Sequence, residues 1–232
     1  MRASAVAVIV AAGPGTRLGA GVPKALVELA GTPLVIHSLR ALLNASSIES
    51  AVVVVSPTCL EEARRLLDHH GPWRCEPTLA PGGPERHDSV RNGLAVAGSA
   101  ELIAIHDAAR PFVSREAVEA AVAAAARHGA AIVAAPAIDT VKQVHPDGWI
   151  EATLPRRHLW LAQTPQVFRA DLIRAAHAQT PLPADATDDA MLVERLGTRV
   201  YVVPGNAENR KITTPEDLRW AEWVLARPTG PR

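Results

Sequence analysis

Short runs of β-branched and other apolar residues recur along this chain, separated by longer segments whose apolar residues repeat at helical spacing. That alternation narrows the fold more than any other feature, because strands joined by helical crossovers form a mainly parallel sheet covered on both faces. The expected architecture is α/β: a single Rossmann-like domain over residues 1–232, with a mainly parallel twisted sheet flanked by helices. A chain of 232 residues is long enough to bury the core of one such domain.

Ala5 to Val10 reads as the first strand. Together with Met1-Arg2-Ala3-Ser4, the apolar run to Ala12 has the outline of a short signal peptide. Its β-branched Val6, Val8, Ile9 and Val10, and the glycine loop that cleavage would destroy, favour a buried strand instead. Thr32-Pro33 is expected to cap and open a helix carrying Leu34, Val35, Leu39, Leu42 and Leu43. Further strands are expected at Ala51 to Val55, near Trp73 to Thr78, at Leu102 to Ile105 and at Ala131 to Ala135. Helices are expected over Leu60 to His69, about Asp88 to Ala97, and from the cap Ser114 to about His128, with Gly129 ending the last. Beyond residue 160, helices near Ala170 to Ala178 and Asp188 to Leu196, a strand at Val200 to Val203 and a helix from Thr214 complete the series.

Between these halves the pattern changes. Thr140 to Val144 and Trp149 to Thr153 flank Pro146-Asp147-Gly148, a turn sequence that predicts a projecting β-hairpin arm at about 137–160. The arm either packs on its own domain or serves a partner subunit.

The 24 Lys+Arg balance the 24 Asp+Glu, so no whole-protein field draws the chain to nucleic acid or to an anionic membrane, and an anion must be captured locally. No apolar stretch is long enough to span a bilayer. Cys59 and Cys75 have no metal-type spacing and make no disulfide framework, which points to a reducing, cytoplasmic setting.

Such local capture is foreshadowed where strand one delivers Ala11-Ala12-Gly13-Pro14-Gly15-Thr16-Arg17-Leu18-Gly19, then Pro23-Lys24, at the edge where open α/β sheets bind ligands. Glycines let the backbone approach a phosphate, Arg17 offers a planar donor fork and Lys24 a compact charge. A dinucleotide fingerprint would need glycine where Leu18 stands, and a P-loop would need a closing Gly-Lys-Ser/Thr. A glycine-rich turn alone is compatible with a tight turn; the two cations favour a phosphate site.

This loop resembles that of the sugar-nucleotide-type nucleotidyltransferases, Ala-Ala-Gly-x-Gly-x-Arg and then Pro-Lys. A narrower resemblance, to the 2-C-methyl-D-erythritol 4-phosphate cytidylyltransferase family, rests on further segments in the family's order. These are Glu85-Arg86-His87-Asp88-Ser89-Val90, His106-Asp107-Ala108-Ala109-Arg110-Pro111, Asp139-Thr140-Val141-Lys142, Gln163-Thr164-Pro165-Gln166, Thr187-Asp188-Asp189 and Lys211-Ile212-Thr213-Thr214-Pro215-Glu216-Asp217-Leu218.

The resemblance implies attack by a polyol phosphate oxygen on the α-phosphorus of CTP, with pyrophosphate leaving and Mg²⁺ or another divalent cation assisting. The second pKa of a phosphate monoester is near ~6, so the nucleophile brings its own charge and no strong base is required. Catalysis then consists of positioning and charge neutralisation. Arg17, Lys24 and Lys211 would cage the triphosphate, and Mg²⁺ would be held mainly by triphosphate oxygens and water, with no protein ligand assigned. The nucleotide would lie against Ala11, Ala12, Gly13, Gly15, Thr16, Gly82, Gly83 and Ser89.

Asp107 would bind the acceptor's hydroxyls, order a metal-bound water or simply cap its loop; His106 is expected to be structural. Arg110 would bind substrate, pair with Asp107 or hold its loop. Thr164 would touch the acceptor or serve as a turn residue before Pro165. Thr140 and Arg156, with Arg157 one register away, would reach the acceptor in a neighbouring subunit's site, making a homodimer functional. Thr187-Asp188-Asp189 reads as a helix N-terminus.

The chain departs from the pattern at Pro14, which removes one N–H from the loop, and at Ala25, where glutamine is frequent. Alternative readings are a cytidylyltransferase for another polyol phosphate such as ribitol 5-phosphate, transfer of UMP or dTMP to a sugar 1-phosphate, and a non-catalytic nucleotide-binding regulatory module.

Overall fold

A computed structural model describes residues 3–13, 15, 23, 26–179 and 186–227. At its centre is a seven-stranded sheet whose strands, in spatial order, are β11 (Tyr201–Pro204), β7 (Ala130–Pro136), β10 (Trp160–Arg169), β6 (Leu102–Asp107), β1 (Ala5–Val10), β4 (Ile48–Val55) and β5 (Thr78–Pro81). The central strand β1 (Ala5–Val10) pairs in parallel with β4 (Ile48–Val55) on one side and β6 (Leu102–Asp107) on the other. Beyond β4 lies β5 (Thr78–Pro81), also parallel. After building β1, β4 and β5 outward, the chain returns to the other side of β1 for β6. The strand order therefore reverses at β1, and ligand crevices of open α/β sheets form outside the carboxyl ends of strands at such a reversal.

Side-chain alternation fixes the two faces of the sheet. Ala5, Ala7 and Ile9 pack with α1 (Leu34–Leu43), α2 (Leu60–His70) and α4 (Arg115–His128). Val6 and Val8 pack with α3 (Arg86–Val96), α5 (Ala170–Ala178) and α6 (Asp189–Glu194) on the opposite face. Both faces of β1 are thus covered, which explains why its sequence is continuously apolar. Helix α3 approaches the sheet closely through Gly93, where an added Cβ would lie 2.4 Å from Val8 Cγ1 and 2.9 Å from Val54 Cγ2.

Local chemistry sets several boundaries. Ser114 Oγ accepts the Ala117 N–H at 3.2 Å to begin α4, and Gly129, at φ +87°, ends it. Thr214 Oγ1 and the Asp217 carboxylate exchange bonds with each other's backbone N–H at the start of α7 (Pro215–Ala226). Helix α1 opens directly after Thr32-Pro33, as expected, with Pro33 at the N-cap, but no side chain caps it, and the dipeptide itself forms the short strand β3, paired with β2 (Glu28–Leu29). Trp73 to Thr78 is not a strand. Trp73 folds back so that its Nε1–H donates to Leu67 O, Arg74 donates to the carbonyls of Leu43, Ala45 and Ile48, and the strand begins only at Thr78.

The arm is the antiparallel pair β8 (Val141–Val144) and β9 (Ile150–Leu154), with a register shift at Gln143/Val144. The expectation of a mainly parallel sheet holds, with one insertion. A ten-residue strand, β10 (Trp160–Arg169), runs antiparallel between β6 and β7 (Ala130–Pro136), while β11 (Tyr201–Pro204) pairs in parallel with β7. Gln163, Thr164, Pro165 and Gln166 interrupt any apolar alternation in β10, which hides it in the sequence. The polar three, Gln163, Thr164 and Gln166, are buried because they hydrogen-bond Asn209, Asp107 and the start of α6 at the sheet's carboxyl edge. Among the described residues no helix is long and apolar enough to cross a membrane.

Candidate active site

Three loops converge at the carboxyl ends of β1, β5 and β6. The first follows β1 and contains Ala11, Ala12 and Gly13, with Ala11 N–H bonded to Val54 O at 2.7 Å; Gly15 is held at φ +68°. The second follows β5, where Gly82 N–H bonds Val55 O at 2.7 Å. A Cβ on Gly82 would stand 2.3 Å from Ala12 Cβ, so glycine allows these two loops to touch. Ser89 organises the same turn: its buried hydroxyl accepts the Gly83 N–H at 3.1 Å and donates to Glu85 O at 3.2 Å. Ala12, Gly82, Gly83 and Ser89, all expected at the nucleotide, therefore lie together. Thr16, Arg17 and Lys24 lie outside the described residues, as do Pro14 and Ala25.

Asp107 ends β6 and is 8% exposed, yet three cations stabilise its charge. Lys211 Nζ lies 2.7 Å from Oδ2, Arg86 Nε 3.4 Å from Oδ1 and Arg110 Nε 3.9 Å from Oδ2. Its backbone N–H donates to Thr164 Oγ1 at 3.1 Å, fixing the residue itself. Burial opposes ionisation, but Arg86, then Lys211 and Arg110, hold the carboxyl well below the usual carboxylate range.

Lys211 is remote in sequence from Asp107, and a stitched loop brings it there. Arg110 NH1 donates to Asn209 O at 2.7 Å, Ile212 N–H donates to Ala109 O at 2.8 Å, and Asn209 Nδ2 donates to Thr164 O at 2.9 Å and Gln163 Oε1 at 3.1 Å. Arg110 accordingly takes both alternative roles, holding the loop and standing near Asp107.

Thr164 is buried beneath Asp107, with its hydroxyl already engaged. Its Oγ1 is 3.0 Å from His106 Nδ1, while His106 Nε2 is 3.0 Å from Arg110 O. A carbonyl only accepts, so Nε2 carries the proton. Burial pushes the His106 pKa down to about 4, leaving Nδ1 bare to accept from the Thr164 hydroxyl. His106 is structural, as expected, and it completes the support of the Asp107 backbone through Thr164.

Sequence reasoning gave no role to Arg86, although its segment was noted. The guanidinium spans Asp107 and Asp189, with NH1 2.8 Å from Asp189 Oδ2. The signal lay in the pairing of Arg86 with two acidic segments, which only folding brings together. Asp188, by contrast, caps α6 as its sequence suggests, accepting the Met191 N–H at 2.9 Å.

Thr140 and Arg156 belong to the arm and its base. Arg156 NH1 donates to Ile138 O, and among the described residues no hydrogen bond or ion pair joins either residue to the Asp107 cluster. Chemically, the rim of β6 offers three cations against the carboxylates of Asp107 and Asp189, a surplus suited to an anion. Lys211, 37% exposed at its side chain, is the outermost member of the cluster's tightest ion pair.

The profile of the 2-C-methyl-D-erythritol 4-phosphate cytidylyltransferases matches residues 5–227. A curated relative of that name from Pelotomaculum thermopropionicum is 47% identical over 226 residues, covering 97% of this chain and 95% of the relative. Another, from Syntrophus aciditrophicus, is 42% identical over 99% of both chains. Among solved structures, the 4-diphosphocytidyl-2C-methyl-D-erythritol synthase of Anaerococcus prevotii superposes with a TM-score of 0.85 at 28% identity, covering 97% of each chain. The 2-C-methyl-D-erythritol 4-phosphate cytidylyltransferase of Thermus thermophilus gives 0.78 at 33% identity, covering 98% of this chain and all of that one. With a family model matched over residues 5–227 and relatives 47% and 42% identical over nearly the whole chain, the chain belongs to the 2-C-methyl-D-erythritol 4-phosphate cytidylyltransferase family.

Proposed function

We propose that this chain transfers CMP from CTP to 2-C-methyl-D-erythritol 4-phosphate in isoprenoid biosynthesis. A phosphate oxygen of the acceptor forms a bond to the α-phosphorus as the bond from that phosphorus to the pyrophosphate oxygen breaks. The observation that carries this reading is Lys211 held 2.7 Å from buried Asp107, at the carboxyl end of β6 beside the reversal at β1, in a chain matched to the family over residues 5–227. Lys211 is available to exchange its carboxylate partner for a phosphoryl oxygen when the nucleotide arrives, and Arg17 and Lys24 add charge from the first loop. Asp107, still held by Arg86 and Arg110, then faces the acceptor.

Both oxygens of Asp107 are already engaged by cations, and among the described residues no three His, Cys, Asp or Glu side chains converge to form a metal cage. That donor set fits Mg²⁺ carried by the triphosphate and water, with Asp107 ordering one such water. When bound, the ion would neutralise triphosphate charge.

The enzyme acts as a homodimer through its arm and works in the cytoplasm. Trp149, Ile150 and Ile138 are 78%, 61% and 75% exposed, an apolar surface that suits a second copy, and both cysteines are free thiols.

Pyrophosphate release from purified protein with CTP and Mg²⁺ tests the reaction, comparing 2-C-methyl-D-erythritol 4-phosphate with ribitol 5-phosphate, and CTP with UTP and dTTP. Preference for the first acceptor and for CTP is expected. Preference for ribitol 5-phosphate would overturn the acceptor, and CTP binding without turnover on any acceptor would mark a regulatory module.

A further inference from the structure

Asp189 presents a puzzle that its place at a helix start does not resolve. Asp188 already caps α6, so a second carboxylate there needs only to lie in the first turn, where solvent exposure costs nothing. Instead the Asp189 side chain is turned inward and is 1% exposed. His177, buried at the end of α5, binds its Oδ1 through Nε2 at 3.0 Å. The Gln166 side chain of β10 pins the same turn, its Oε1 accepting the N–H groups of Asp189 at 3.1 Å and Ala190 at 3.0 Å. The remaining oxygen, Oδ2, meets Arg86 NH1 at 2.8 Å as a charge contact and not as an aligned hydrogen bond.

Packing alone gives no reason for a charge here, since buried ion pairs are often matched in stability by apolar groups of similar volume. A charge held from three elements does have an electrostatic consequence. It fixes one end of the Arg86 guanidinium, whose Nε then reaches Asp107. His177 Nδ1 has no partner among the described residues, so the ring's polar contact is spent on Asp189. The path from α5 through α6 and α3 to the end of β6 is continuous: His177, Asp189, Arg86, Asp107.

We propose that Asp189, oriented by His177, is a positioning residue that acts through Arg86 to keep Asp107 anchored when Lys211 leaves it for the nucleotide. The inference rests on the cytidylyl-transfer reading. It assigns the effect to the acceptor side of the site, where Asp107 faces, and not to nucleotide capture. Arg86 is suited to this because a planar guanidinium can serve two carboxylates at once, whereas an ammonium is a point charge.

The test is a double-mutant cycle with Asp189→Asn and Arg86→Ala, read by kcat and acceptor KM, with CTP affinity measured by calorimetry in the absence of acceptor. Asp189→Asn keeps the shape and an acceptor for His177 while removing the charge. It is expected to lower kcat/KM for the acceptor at least tenfold, leave CTP affinity within threefold, and add less than a twofold change in the Arg86→Ala background. An unchanged kcat/KM, an equal loss in both backgrounds, or a parallel loss of CTP affinity overturns the proposal. Arg86→Lys supplies a second variant should Asp189→Asn fail to melt cooperatively, and it is expected to reproduce the acceptor defect; full activity overturns the proposal. A readout independent of turnover is the Arg86 Nε–H resonance, assigned by its absence in Arg86→Lys. It should exchange slowly in the native protein and rapidly in Asp189→Asn, and equal exchange in both overturns the clamp. Failure of the native protein to release pyrophosphate would count against the reaction, while the resonance would still decide the clamp.

Discussion

Asp107 draws on three cations, and they are not equivalent. Arg86 and Arg110 are tied to other groups as well, whereas Lys211 is the exposed partner at 2.7 Å. Lys211→Ala should therefore lower kcat roughly 10²- to 10³-fold, the usual scale for losing one transition-state donor, with little change in melting temperature because the other two cations still compensate Asp107. Turnover and thermal melts on the same preparation check this, and an equal loss of both would make Lys211 structural. His106 carries a different consequence. Its folded pKa of about 4 lies below the ordinary 6.5, so between those values the unfolded chain binds a proton that the folded chain refuses. Stability should fall as pH drops through that window, by up to about 1.4 kcal/mol per pH unit. His37 and His70 are shifted the same way by burial first, so His106→Gln should reduce the slope without abolishing it. Asp107 and Asp189 act lower: their depressed pKa values give stability that is present above the ordinary carboxylate value and is lost as pH falls toward their folded values. Melting temperatures from pH 7 down to about pH 2 separate the two effects, the histidine slope lying above about pH 4 and the carboxylate slope below it.

Elements place these residues through contacts that tolerate little added volume. The loops after β1 and β5 meet at Gly82, where a methyl group would overlap Ala12. Gly82→Ala is expected to push the first loop outward, raise KM for CTP about tenfold, or ~1.4 kcal/mol, and leave the acceptor KM nearly unchanged; a KM for CTP within twofold of native would contradict this. Helix positions were legible because their signals are local: Ser114 and Gly129 bracket α4, and Thr214 with Asp217 opens α7. Strand β10 was not legible. Its Gln163, Thr164 and Gln166 are buried polar groups whose partners, Asn209, Asp107 and the start of α6, lie elsewhere in the chain, so no period within the strand could announce it.

At the scale of the whole molecule, the arm and the adjoining strand carry several exposed apolar side chains among the described residues. Besides Trp149, Ile150 and Ile138, Leu161 and Trp160 are 60% and 42% exposed. A monomer would carry this area as a liability, whereas a dimer would bury it. The double variant Trp149→Asp, Ile150→Asp should shift the species seen by light scattering from twice the chain mass to 24.6 kDa. If Thr140 and Arg156 serve a neighbouring site, the same variant should also lose activity while its melting transition remains cooperative. A native protein that is monomeric at assay concentration would refute the arm's proposed role.

The α/β class, most helix boundaries and the glycine loop were legible along the chain, and Lys211, Asp107 and Arg110 stood out as candidates, because those signals are periodicity, caps and contiguous motifs. Only folding placed Thr164 beneath Asp107, left His106 neutral with its proton on Nε2, and joined Arg86 and Asp189 to the Asp107 cluster. Each of those facts depends on a buried polar group finding a partner from a distant strand or helix. Such partners are selected by the cost of leaving a charge or hydrogen-bonding group unpaired away from water, and that cost exists only once the chain has folded around them.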